Sequence, residues 1–207
     1  MRKGFSRELG QIDAKVLQLF ALVTESLGAA TDTLLAGDRA TAKEIKQRDQ
    51  IIDELFQDIE QLVERTLLLQ SPVAGDLRFL LSVLRIVPEL ERSGDLAEHI
   101  ATRANLGLAA DLTPLARGMV EQLGSLGVEM WRAATDAYAD RDATAFPRLD
   151  ALDDEVDRLH DELVSELENK EIPRRVAIEM ALVARFFERL GDHAVHITAR
   201  VVHAQGD

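Results

Sequence analysis

Glu91-Arg92-Ser93-Gly94-Asp95 and Glu188-Arg189-Leu190-Gly191-Asp192 write one short pattern twice, 97 positions apart, and in each copy a histidine, His99 or His196, follows the aspartate by four residues. On a helix, positions i, i+4 and i+8 share a face, so each stretch predicts a stripe of acid, acid and imidazole. The glycine between the acids costs a helix about 1 kcal/mol relative to alanine. Its repetition points to a neighbouring backbone that comes close. Small residues continue the seam in both copies, as Leu90, Gly94, Ala97, Ala101 and Ala104 and as Phe187, Gly191, Ala194 and Thr198.

Working outward, the apolar rhythm is helical throughout and no strand-like alternation is present. Leu9, Ile12, Val16, Leu19, Val23 and Leu27 predict a first helix over 5–36, and Ile45, Ile52, Phe56, Ile59, Val63 and Thr66 a second over 39–69. Gly37-Asp38 supplies the stop and the next N-cap, and Pro72 ends the second helix. A third, expected over 73–107, runs through Leu77, Leu81 and Leu84 with a kink near Pro88. Following that seam onward reaches Glu91 and Asp95, so a row that starts apolar turns acidic.

Beyond Asp111-Leu112-Thr113-Pro114 the plan recurs. Helices are predicted over 115–139, through Val120, Leu123, Met130 and Tyr138, and over 144–170, through Leu152, Val156, Leu159 and Leu163. Pro173 then precedes a last helix over 174–203. Aligning Pro72 with Pro173 gives an offset of 101 for helices two and five, which pairs Asp49 with Asp150 and Asp53 with Asp154. The expectation is an all-α chain built as a tandem repeat of two antiparallel three-helix bundles, 1–109 and 110–207.

Composition narrows the function classes. The 207 residues suffice for a sizeable core, and 46% hydrophobic with 29% charged residues is the make-up of an ordinary folded chain. A net charge of −13 argues against nucleic acid, whose binding rests on Lys and Arg neutralising phosphates. The absence of cysteine excludes disulfides and thiolate metal sites, and fits a reducing cytoplasm. No signal peptide and no apolar run of about 18 residues is apparent, so no bilayer span is expected.

The chemistry rests with the acids. Glu91 and Asp95 lie about 6 Å apart along a helix axis, close enough for one cation or a small cluster to touch both. Asp49 with Asp53, and Asp150 with Asp154, offer further i, i+4 pairs that could meet them at one rim. A single such pair is usually solvated, but its recurrence with the same neighbours in both repeats favours a binding role. Carboxylates alone suit Mg, Ca or Mn, whereas His99 or His196 as auxiliary ligands would admit Fe, Zn, Ni or Mn. His160, His193 and His203 show no recurring partner. Arg92 and Arg189 are either surface charges or neutralise adjacent acids. No nucleophile elbow, P-loop or HExxH motif is present, and the histidines do not make the Glu-x-x-His of di-iron bundles.

Pro72-Val73-Ala74-Gly75-Asp76-Leu77-Arg78, with the two acid motifs spread over repeats of about 100 residues, resembles the PhoU family of phosphate-signalling regulators across essentially the whole chain. The resemblance implies a tandem of three-helix bundles whose E(D)xxxD motifs bind metal ions or clusters. The ligands it implies are Glu91, Asp95, Asp49 and Asp53 in one site, and Glu188, Asp192, Asp150 and Asp154 in the other. It further implies a cytoplasmic, non-enzymatic homodimer, a negative regulator of the phosphate-starvation response. Such an adaptor would stand between the ATPase of a Pst phosphate transporter and a PhoR-type histidine kinase, meeting the membrane only through those partners. Phosphate would be sensed indirectly, because the acid motifs repel it. The competing expectations are a carboxylate-bridged metalloenzyme and a metal-free helical scaffold or accessory of another phosphate transporter.

Overall fold

The computed structural model describes the backbone of residues 2–142 and 144–205 and the side chains of 4–142 and 144–201. Among them there are six α-helices and no strand: α1 (Arg2–Ala36), α2 (Arg39–Gln70), α3 (Ala74–Thr102), α4 (Pro114–Asp140), α5 (Phe146–Glu166) and α6 (Arg174–Gln205). The breaks fall where the sequence puts them. Gly37 takes the left-handed conformation at φ 67° that a side chain would disfavour. Asp38 then caps α2, accepting hydrogen bonds from the amides of Ala40 and Thr41 at 2.9 and 3.2 Å. Thr113 caps α4 by accepting from the Ala116 amide, with Pro114 at the first helical position.

Two helices end earlier than the periodicity suggests. The third stops at Thr102 and continues as two single 3₁₀ turns, Arg103–Leu106 and Leu108–Asp111, because Gly107 between them is left-handed at φ 65°. The fifth begins at Phe146, with Pro147 in its first turn, and ends at Glu166.

α1, α2 and α3 pack on one another, as do α4, α5 and α6. The two groups join side by side through α1 against α4 and α3 against α6, leaving α2 and α5 at opposite flanks. One hydrophobic core runs through both groups, with Trp131, Tyr138, Phe20 and Phe187 among its largest buried side chains. The repeated seam is buried throughout: Leu90, Ala97 and Ala101 in α3 with Ala104 in the 3₁₀ turn after it, and Phe187, Ala194 and Thr198 in α6. At the α1/α4 contact, Thr31 fills the space over Gly124 so closely that a Cβ there would lie 2.4 Å from its Oγ1.

Two expectations need correction. Leu77, Leu81 and Leu84 are not the core row of α3. Leu81 is 41% exposed, and Leu80, Val83, Ile86 and Val87 are buried instead, so the acid stripe extends a partly exposed row rather than a core one. Further, α1 does contain a stretch, Gly4–Ala36, long and apolar enough by composition to cross a membrane. Residues 16–36 of it carry only two charges, Glu25 and Asp32, too few to break the run. Here its apolar face, Ile12, Val16, Leu19, Phe20, Val23 and Leu27, is buried against the other helices.

Candidate metal centres

Gly94 brings α2 against α3. A Cβ on it would meet Ile52 at 3.0 Å and the Oδ1 of Asp49 at 3.3 Å, so the missing side chain is the space into which Asp49 reaches. Asp53, one turn on, and Asp95 join it, with one oxygen of each of these three residues within 4.8 Å of the others. Glu91, on the same stripe, lies outside that close group but within electrostatic reach of Asp95 and Asp53. The Oδ1 of Asp49 is buried and has no hydrogen-bond partner.

That crowding shows in the acidities. Burial first, then repulsion from Asp95 and Asp53, pushes the Asp49 carboxyl up to about 7. Burial and the charges of Asp95 and Asp53 raise Glu91, and burial and Asp53 raise Asp95, which His99 partly offsets. Without a counter-charge the cluster therefore holds a proton near neutral pH.

The second copy is built the same way with one change of register. A Cβ on Gly191 would lie 2.4 Å from the Oδ1 of Asp153, so Asp153 occupies the place that Asp49 has in the first copy. Its Oδ1 is likewise buried without a partner, as is the Oε2 of Glu188. Burial, then Asp192, Asp157 and Glu188, pushes the Asp153 carboxyl up to about 7. Glu188 is raised too, chiefly by burial and Asp192, although Arg185 pairs with its other oxygen.

The structure thus brings together Asp49, Asp53 and Asp95, with Glu91 in electrostatic reach, and places Asp192, Asp157 and Glu188 in electrostatic reach of Asp153. Asp150 acts on Asp153 only as the weakest of four repulsions, and Asp154 is exposed. The signal for the true register is the apolar phase. Buried Ile45, Ile52 and Ile59 correspond to buried Leu149, Val156 and Leu163 at an offset of 104, the same offset as Asp49 to Asp153. Aligning the prolines misses it because α5 ends short of Pro173.

The histidines divide. His99 packs its ring against Phe186, 5.6 Å between centroids, within electrostatic reach of Asp95. His196 turns instead into a cleft with Arg78, Arg85 and Arg200. His160, given no role from sequence, lies close enough to Glu188 to ease its repulsion. His193 is a finding that sequence reading missed: it is 7% exposed, its Nδ1 is 2.8 Å from Ser93 Oγ, and its Nε2 is 3.5 Å from Glu89. Burial holds its imidazole below the usual range. It joins α6 to α3, while the Trp131 indole donates to the Leu190 carbonyl at 3.1 Å and joins α4 to the second motif. His203 lies outside the described side chains. Arg92 and Arg189 are exposed.

Each cluster is a set of carboxylate oxygens, some buried and unpartnered, which is the donor set of a hard or borderline cation. Removing an unpartnered carboxylate from water is costly unless a proton or cation accompanies it. Among the described residues only Asp49, Asp53 and Asp95 gather one oxygen each within 4.8 Å of one another, so the residues present fit a metal ion in the first copy, while the second shares its burial and repulsion without that closeness.

The chain matches the family model described as the PhoU domain over residues 16–104 and again over 120–201. It is 30% identical to the phosphate-specific transport system accessory protein PhoU homolog 1 of Mycobacterium leprae, covering 98% of this chain and 92% of that one. To PhoU homolog 2 of Mycobacterium tuberculosis it is 29% identical, covering 98% and 96%. The crystal structure of PhoU from Pseudomonas aeruginosa superposes with a TM-score of 0.89 at 29% identity, over 97% of this chain and 98% of that one. That of the phosphate transport system regulatory protein PhoU from Streptococcus pneumoniae gives 0.85 at 25%, over 98% and 97%.

Proposed function

The chain belongs to the PhoU family, and on that premise we propose that it is a metal-binding, non-enzymatic adaptor of a phosphate-specific transport system and a negative regulator of the phosphate-starvation response. It stands in the cytoplasm between the ATPase of a Pst-type transporter and a PhoR-type histidine kinase, touching the membrane only through them. The chain divides into two PhoU-like repeats, 1–109 and 110–207, each with one metal site, and pairs as a homodimer. The observation that carries this reading is the recurrence of a buried, unpartnered aspartate oxygen against the motif glycine in both halves of a chain matched by the family over both halves.

Asp49, Asp53, Glu91 and Asp95 would hold the first ion, and Asp153, Asp157, Glu188 and Asp192 the second, with Asp150 adding charge and Asp154 remaining in solvent. A bound Fe, Zn, Ni, Mn, Mg or Ca ion would supply the positive charge that four close carboxylates lack. The chain's own residues do the rest. Gly94 and Gly191 let α2 and α5 close on the motifs, and Asp49 and Asp153 release protons as an ion enters. The absence of a nucleophile or catalytic motif favours the adaptor over a carboxylate-bridged hydrolase or oxidase.

Deleting the gene and following a phosphatase reporter in phosphate-rich medium tests the regulatory role. The reporter should stay on without the protein, return to repression with the wild-type copy, and a tagged copy should retain the transporter ATPase or the kinase after cross-linking. A reporter unaffected by deletion, with neither partner retained, would sink the adaptor reading.

A further inference from the structure

Arg78, the last residue of the Pro72-to-Arg78 stretch, has no place in either acid cluster. With Arg85, two turns further along α3, and with Arg200 and His196 of α6, it lines a cleft of about 440 Å³ completed by Leu81, Ser82 and Ala199. Three arginines and a histidine thus line one largely apolar concavity in a chain of net charge −13. Arg78 and Arg85 are exposed, so their guanidiniums are open to an anion. Among the described residues neither Arg78 nor Arg85 has a carboxylate partner, whereas Arg200 lies 3.6 Å from Glu89, whose other oxygen faces His193. The Ser82 hydroxyl donates to the Phe79 carbonyl at 2.7 Å, so Arg78 and Arg85 are the donors left without a carboxylate partner.

Guanidinium forks match phosphoryl oxygens in pairs, and the concavity is of the size that holds a small molecule rather than a flat protein surface. We propose that this cleft between α3 and α6 binds a small phosphoryl-bearing anion, either inorganic phosphate or the phosphate groups of a nucleotide-sized molecule. The acid clusters would repel that anion, so the two kinds of ligand occupy separate faces. Because Arg78 and Arg85 belong to one three-helix group and Arg200 and His196 to the other, a bound anion ties the two groups together at this edge. The cleft does not depend on the metal reading.

Equilibrium dialysis of the full chain in excess EDTA and low salt, against labelled inorganic phosphate, pyrophosphate and ATP in turn, tests it. Saturable binding of at least one probe is expected, and which probe binds distinguishes free phosphate from a phosphorylated molecule. Arg78→Gln and Arg85→Gln should each weaken it about tenfold, the effect of losing one charge-assisted bond. Arg174→Gln, on the exposed start of α6, should leave it unchanged. Retention of none of the probes, retention only when EDTA is omitted, or retention by both cleft variants as strong as by the wild type would overturn the proposal.

Discussion

Asp49 and Asp153 each aim a buried oxygen into the notch left by a glycine, and that placement sets their behaviour with pH. Both fold with the carboxyl raised to about 7 from an ordinary value of 3.8. A group raised in this way binds more protons folded than unfolded between those limits, so the metal-free protein loses stability as pH rises from about 4 to about 7 and levels off above. Asp49→Asn or Asp153→Asn should therefore stabilise the metal-free chain at pH 8 by about 1–2 kcal/mol after allowance for solvent screening, and not at pH 4. Urea denaturation at the two pH values reads this directly. No gain at pH 8 would mean that the carboxylates are better solvated than their surroundings indicate. Gly191→Ala separates fold from site. The new Cβ meets the far end of the Asp153 side chain, which can swing aside, so stability should change by no more than about 1 kcal/mol, helped by the better helix former. Metal binding at the second site should fall while the first is unaffected, as seen by calorimetric titration.

At the scale of the helices, the close approach of α1 to α4 rests on Gly124. A Cβ there would meet three atoms of Thr31 within 2.4 to 2.8 Å, one of them Thr31's own Cβ, which cannot rotate away. Gly124→Ala should thus destabilise by about 1–3 kcal/mol despite its helix propensity, with thermal melting as the measure. His193→Ala should likewise cost about 1–3 kcal/mol, because the lone pairs and hydroxyl that face Nδ1 and Nε2 lose their partner inside the α3/α6 contact. Helix number, order and breaks were legible in the sequence because capping and proline are local effects, as at Asp38, Thr113 and Pro72. The meeting of Asp49, Asp53 and Asp95 was legible too, since these acids sit at helical spacing on the two helices. Register between helices is not local: Asp153 and Asp157 overlap Asp150 and Asp154 in sequence, and only the burial of Val156 decides which pair faces α6. His193 was illegible for the same reason, its partners lying 100 residues away in Ser93 and across the seam in Glu89.

For the whole molecule, the two three-helix groups share one core and present one carboxylate cluster each, both within this chain. The two proposed sites predict a stoichiometry as well as an affinity. Ion binding to the folded state alone should raise the melting temperature with ion concentration. It should also weaken below pH about 7, as Asp49 and Asp153 take up protons. The most direct test is metal content per chain after reconstitution, by elemental analysis of the wild type, of Asp49→Asn with Asp95→Asn, and of Asp153→Asn with Asp192→Asn. The account predicts two occupied sites in the wild type and one in each double variant. Negligible metal in the wild type, or the same content in all three proteins, would contradict it.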